Sequence, residues 1–276
     1  MAAGGSIEEW AKAVRSRQVK FIFHTAPTCK CGCGEKLFPT NVAAAVRGTR
    51  APVFKYDSLP CHGRLVLPFN YQFTPEQRQL IIASCLGDGA LLKATPASSH
   101  RLLWNMGDKA HAEFKSRAFS FLSATLVEKK NPGWGSEWFS VGTSCHPSLD
   151  QFREEFYSPD RKPIAKPEVL AELNEVGWAW WYGDDGSLMR QKGCADMALL
   201  HTEGYSEACN IEIQRALTSF IGIADGVSLA KYNGGNPKKE RIMLRIKTNA
   251  TVEFFKKIAP HMAPSMAYKL GDFQIT

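Results

Sequence analysis

Two short segments of this chain end in the same way. Residues 80–90 read LIIASCLGDGA and residues 177–187 read GWAWWYGDDGS; each is an apolar run closed by Asp-Gly, Asp88-Gly89 in the first and Asp185-Gly186 in the second. An apolar helix that stops at an acidic residue followed by glycine delivers a carboxylate to a fixed place. Two such carboxylates brought close repel each other until a cation sits between them. Hard divalent ions such as Mg²⁺ favour oxygen ligands of this kind. One Gly-Asp-Gly alone is a common turn and helix stop; it is the second copy that argues for more.

The elements around the motifs recur as well. The two Asp-Gly pairs lie 97 residues apart, about one small domain. SHRLLWN (99–105) occupies the place of DMALLHT (196–202), and KAHAEFKSRAFSFL (109–122) that of YSEACNIEIQRALTSF (205–220). The last two carry apolar residues at helical spacing. The reading is an internally duplicated chain with one carboxylate from each half. Thr74-Pro75-Glu76-Gln77 predicts a helix start, with Thr as N-cap and Pro at the first position. Small residues line both motif helices: Ala83, Ser84 and Gly87 on the first, Ala179 and Gly183 on the second. Close packing of the two would bring Asp88 and Asp185 together. Near the C-terminus, Ile242, Leu244 and Ile246 alternate with Arg241, Arg245 and Lys247, Met243 sharing the basic side. This is a strand with one apolar and one basic face, and Asn-Gly-Gly-Asn (233–236) before it signals a hairpin.

With 276 residues, 44% hydrophobic and 22% charged, the chain is long enough for two domains or one duplicated domain. No apolar stretch is long enough to cross a bilayer, and the start lacks the pattern of a signal peptide. A soluble intracellular protein is expected, in the cytoplasm or nucleoid of a bacterium or phage-infected cell, or in an organelle. Charge is uneven. Residues 1–70 hold ten Lys and Arg against four Asp and Glu, and the run from Lys231 to Lys247 holds six basic residues against Glu240 alone. Clustered positive charge suits a polyanion. Eight cysteines without a secretory signal suggest thiols or metal ligands instead of disulfides. Cys29, Cys31 and Cys33, with Cys61 and His62, form a candidate Zn²⁺ site that would staple residues 1–70 as a basic accessory segment. Cys85, Cys145, Cys194 and Cys209 read as buried or incidental thiols.

From about residue 74 to 276 the chain resembles the LAGLIDADG homing endonucleases, and its single-chain, two-repeat members most closely. The resemblance rests on IIASCLGDGALL and SCHPSLDQFREEFYSPDRKPI in the first half, and on WAWWYGDDGS, LLHTEGYS and FFKKIAPHMAPSMAYKL in the second. Leu86 departs from the pattern, standing where the namesake sequence is acidic. The resemblance implies an α+β fold of two pseudo-symmetric αββαββα repeats, residues 71–167 and 168–276, with antiparallel saddle-shaped sheets over duplex DNA. It implies hydrolysis of both strands of a long, near-palindromic site. Asp88 and Asp185 would be the metal-binding carboxylates, with Gly87 and Asp184 beside them, and Lys162 and Lys269 the active-site lysines. Mg²⁺ would be the cofactor, with Ca²⁺ as a substitute that supports no cutting. The expected DNA-contacting set is Arg101, Asn105, Lys231, Lys238, Lys239, Arg241, Arg245 and Lys247. A pseudo-symmetric chain needs no partner subunit, so a monomer is expected.

Three other readings share this fold. An intron RNA maturase is the principal alternative, since some maturases keep both acids. A DNA-binding regulator without catalysis has no reason to keep paired carboxylates facing phosphate. An intein-embedded nuclease would carry a splicing nucleophile and a terminal Asn. Met1 and the ending Gln274-Ile275-Thr276 supply neither, so a free-standing protein is expected.

Overall fold

Thr74 starts the first helix, α1 (Pro75–Leu86), as the sequence predicts. Its hydroxyl accepts from the Gln77 backbone, and the Gln77 side chain accepts from the Thr74 backbone, a reciprocal capping box. The computed structural model describes residues 71–95, 98–130, 137–158, 164–190, 196–232 and 241–273, all within the unit Asn70–Thr276. After α1 come β1 (Ala90–Lys93), β2 (His100–Met106), α2 (Lys109–Ala118), β3 (Thr125–Lys130), β4 (Glu137–Gly142) and α3 (Asp150–Phe156). A short helix, α4 (Pro167–Leu170), leads to the second half: α5 (Glu175–Asp185), β5 (Gly186–Met189), β6 (Met197–Leu200), α6 (Glu207–Ile221), β7 (Val227–Tyr232), β8 (Arg241–Ile246) and α7 (Thr248–Ile258). Each half therefore runs αββαββα.

The strands form two antiparallel four-stranded sheets, ordered β1-β2-β4-β3 and β5-β6-β8-β7. One face of each is closed by helices. Leu91, Leu102, Trp104 and Val141 are buried behind the first sheet, and Ala198, Leu200, Val227, Leu244 and Ile246 behind the second, where Ile213 and Leu217 of α6 and Phe254 of α7 join the same core. The other face of each sheet is open. The expected alternation in β8 is present: Leu244 and Ile246 are fully buried while Arg241 and Arg245 are exposed. Met243 shares the arginine face but is itself nearly buried.

Strand pairing fixes which residues of the two halves correspond. Ala90 lies opposite Leu103, and Ser187 opposite Leu199. Asn105 therefore matches His201, one residue away from the equivalence suggested by aligning 99–105 with 196–202. A one-residue slip in a strand exchanges its faces, so this correction decides which side chains reach the open surface.

The motif helices α1 and α5 pack against each other. Gln79, buried at the contact, donates to the Glu172 carbonyl (2.7 Å) and accepts from the Asn174 backbone (3.0 Å), tying α1 to the N-cap of α5. A Cβ on Gly177 would stand 2.5 Å from the Gln79 amide oxygen and 2.7 Å from Leu173, so a larger residue there would displace the Gln79 bridge. Among the described residues, no helix is long and apolar enough to cross a membrane. Replacing Gln79 with Ala would leave the part-buried Glu172 carbonyl and Asn174 N–H without this partner; a loss of about 1–2 kcal/mol in urea unfolding is expected.

Candidate active site

The two motif helices end side by side. Gly87 closes α1 with its N–H on the Ala83 carbonyl, and a Cβ there would meet the Asp184 Cβ at 3.0 Å. Asp88 follows, exposed, at the end of one helix; Asp185, half-buried, ends the other. Gly89 is required because a Cβ would lie 2.6 Å from the Ser84 carbonyl and 2.8 Å from Trp104. Gly186 is required because a Cβ would overlap Tyr182.

Burial, then repulsion by Asp88 and Asp184, pushes the Asp185 carboxyl up to about 8. The Trp181 indole N–H, 3.0 Å from Oδ2, opposes this and holds the side chain in place. Loss of solvent and the Asp184 charge raise the Asp88 carboxyl as well, against the pull of Lys115, Lys269 and His111. The pair is a concentration of negative charge without enough nearby positive charge to balance it.

Asp184 behaves differently, although it is adjacent. Its side chain has no exposed surface, and both oxygens accept from the equally buried Lys115 Nζ, at 2.6 and 2.8 Å. Burial alone would raise its carboxyl; the Lys115 charge and hydrogen bonds from His111 and Lys115 outweigh that and hold it low. Oδ2 also accepts from the Asp88 backbone N–H at a long 3.4 Å. His111 reaches Oδ1 at 3.4 Å through Nε2 and touches Ser265 through Nδ1. The Trp104 and Trp180 rings flank the ammonium at 5.3 and 4.8 Å. Asp184, expected beside the metal-binding carboxylates, has both oxygens on Lys115, and its Oδ2 also meets the Asp88 backbone N–H. Lys115 and His111 went unmarked in the sequence reading. The available signal was a lysine on the apolar stripe of α2, in line with His111 and Ala112.

Lys269 lies on a 3₁₀ segment (Pro264–Leu270) and donates to the carbonyls of Gly183 (2.7 Å) and Asp184 (2.9 Å). Its ammonium thus caps the C-terminus of α5, where the helix dipole favours a cation. Burial lowers its pKa, against the attraction of Asp184, Asp185 and Asp88. Tyr205 does the corresponding work for α1, donating to the Leu86 carbonyl at 2.6 Å.

Arg101 and Asn105 lie on the open face of the first sheet with Leu92 and Leu103, and Arg241 and Arg245 on the open face of the second. Lys247 follows β8 and is exposed. Lys231 pairs with Ile242 across β7 and β8 and is exposed. The first open face is more apolar than expected. Leu92, Val127 and Trp138 are 44%, 51% and 39% exposed, and Lys129, also unmarked in the sequence reading, sits over the Trp138 ring at 5.2 Å. Lys162, Lys238, Lys239, Cys194 and the candidate zinc residues Cys29, Cys31, Cys33, Cys61 and His62 lie outside the described residues. Among the described residues, no three His, Cys, Asp or Glu side chains cluster as a metal site, and Cys85, Cys145 and Cys209 are free thiols.

The profile of the LAGLIDADG DNA endonuclease family matches residues 78–254. A probable intron-encoded DNA endonuclease 3 of Mycosarcoma maydis is 30% identical over 139 residues, covering 49% of this chain and 93% of that one. The protein RecA of Mycobacterium gastri is 29% identical over 217 residues, covering 75% of this chain and 50% of that one. The chain spans about half the length of the RecA proteins it matches. The solved structure of the homing endonuclease I-WcaI bound to its DNA recognition sequence shares the fold, with a TM-score of 0.61 and 22% identity over 72% of this chain and 88% of that one.

Two outcomes are expected from this geometry. Asp184→Asn or Lys115→Met, each leaving its former partner buried without a counter-charge, lowers stability by about 3–5 kcal/mol in denaturant unfolding, and the double variant Lys115→Met/Asp184→Leu recovers much of it. Because the folded-state pKa of Asp185 is raised, the folded protein holds a proton that the unfolded chain gives up. Stability of the metal-free protein therefore falls as pH rises from about 4 toward 8, measured by thermal unfolding in EDTA, and Asp185→Asn flattens that slope.

Proposed function

The chain belongs to the LAGLIDADG DNA endonuclease family, and we propose that it cleaves both strands of a long, near-palindromic DNA site by divalent-metal-dependent hydrolysis, as a monomer. One observation carries this reading. Packing of α1 on α5 brings one carboxylate from each half to the paired helix ends, both raised in proton affinity by burial and neighbouring acids, with a lysine alongside.

The donor set fits a hard divalent cation. Asp88 and Asp185 offer carboxylate oxygens and an electrostatic penalty that a cation removes, and phosphate oxygens of the substrate would complete the shell. Mg²⁺ commonly binds through one or two carboxylates plus substrate phosphates. Bound there, the metal would supply an activated water and stabilise the leaving oxygen. The protein's own groups do the rest. Trp181 fixes the Asp185 carboxylate, and Asp184 holds the Asp88 backbone. Lys269, anchored on two carbonyls, sets a positive charge beside the position where phosphate charge develops. Lys162, in the first half, is assigned the matching role.

On the open faces Arg101, Asn105, Arg241, Arg245 and Lys247 would contact phosphates and base edges. Leu92, Val127 and Trp138 suit the apolar methyl of thymine. We assign residues 71–167 and 168–276 as the two repeats and residues 1–70 as a basic segment extending the DNA contact.

The test is a randomised duplex library incubated with the full chain in Mg²⁺ and separately in Ca²⁺, with the cut ends sequenced. Cutting within one long motif in Mg²⁺ is expected, with binding but no cutting in Ca²⁺, and no cutting by Asp88→Asn or Asp185→Asn. Tight binding without cutting in Mg²⁺ would overturn the reading in favour of a regulator. Absence of selective DNA binding would overturn it in favour of a role in RNA splicing.

A further inference from the structure

The two candidate metal-binding carboxylates are held by different means. Asp185 is the last residue of α5, and the indole N–H of Trp181, one helical turn earlier, donates to its Oδ2 at 3.0 Å. Asp88 lies outside α1, past the Gly87 cap. The residue one turn before it is Ser84, whose buried hydroxyl makes no hydrogen bond among the described residues. The hold that Trp181 has on Asp185 thus has no counterpart in α1.

What reaches Asp88 comes from the other half. Its backbone N–H donates to Asp184 Oδ2 at 3.4 Å. A Cβ on Gly87 would stand 3.0 Å from both Cβ and Oδ2 of Asp184, so that side chain lies along the turn that carries Asp88. Asp184 is itself fixed by Lys115 of α2, whose Nζ donates to both oxygens at 2.6 and 2.8 Å, neither side chain having exposed surface. A carboxylate gripped at both oxygens inside the core keeps one orientation, which is what a group that positions another needs. The pair has no twin. Gly87 occupies the place of Asp184 in the first half, and Ile213, at the same distance from its N-cap, that of Lys115 in the second.

We propose that Asp184 and Lys115 are positioning residues for Asp88: a buried pair supplied by α5 and α2 seats the carboxylate of the first half, whereas Trp181 seats that of the second. The inference rests on the endonuclease reading above. A duplex laid across the two halves has strands related by the same approximate two-fold axis, so each carboxylate serves one strand. The two cutting centres then depend on different residues, and each can be slowed without the other.

The test uses the full chain in Mg²⁺ on a plasmid carrying its target, with end-labelled duplexes that follow each strand separately. The double variant Lys115→Ile/Asp184→Gly gives each position the residue its counterpart in the other half already carries. It is expected to slow one strand by about tenfold to a hundredfold, the cost of misplacing a reacting group by up to about 1 Å, and the other by less than about threefold. Nicked circles accumulate, and binding to the target in Ca²⁺ is retained. Trp181→Phe, which removes only the N–H on Asp185 and keeps an aromatic ring, is expected to slow the opposite strand. Should the first variant fail to fold by circular dichroism, Lys115→Met/Asp184→Leu gives the same readout, since it too lacks an acceptor for Asp88 and buries no charge. Equal slowing of both strands, no slowing, or slowing of the same strand by the pair variant and by Trp181→Phe overturns the inference while leaving the endonuclease reading intact. A wild-type protein that cuts no DNA overturns that reading, and this one with it.

Discussion

The close approach of α1 and α5 is the constraint from which the rest of the structure follows. Small residues at the contact let two helix ends meet, and each end brings a carboxylate into partly desolvated surroundings. Burial first, and then repulsion between the carboxylates, pushes Asp185 up to about 8. The surrounding groups are arranged to make that concentration of charge tolerable. Lys269 and Tyr205 engage the terminal carbonyls of the two helices. Lys115 neutralises the third acid, Asp184, so that it adds a hydrogen-bond acceptor for the Asp88 backbone without remaining an unpaired charge.

The duplication preserves the fold more strictly than the chemistry. At the helix contact Gly87 of one half faces Asp184 of the other, because a side chain on both sides would not fit. Lys115 stands at the same distance from its N-cap as Ile213 does in the second half, and both positions are fully buried. The buried lysine is neutralised by Asp184, whose equivalent in the first half is Gly87. The buried ion pair is thus an asymmetric device. Pairs of this kind contribute little net stability compared with apolar packing but penalise any arrangement that separates them. Here they fix how the two halves sit on each other.

The sheets divide the same way. Their helix-facing sides are both apolar, while the open sides differ: Leu92, Val127 and Trp138 with Arg101, Asn105 and Lys129 in the first half, Arg241 and Arg245 in the second. Two halves of one fold can therefore offer different surfaces to a ligand without any change in the core, since strand alternation separates the two sets of residues.

The sequence by itself determined the local features: the capping box at Thr74, the two Asp-Gly helix ends, the alternation in β8 and the duplication. These depend on neighbours one to four residues apart, which the chain order displays directly. Tertiary structure decided everything that depends on distant partners. Asp184 and Asp185 are adjacent in sequence and equally acidic; only packing against Lys115, 69 residues away, seals one and leaves the other half-open. Periodicity shows that Lys115 is on the inner stripe of α2, but not that a carboxylate awaits it there. Which residue of β8 lies across from Lys231 was set by strand pairing, which puts it opposite Ile242. The match of His201 to Asn105 likewise required strand register, because residue strings aligned by eye slide freely by one position, whereas hydrogen-bonded strands do not.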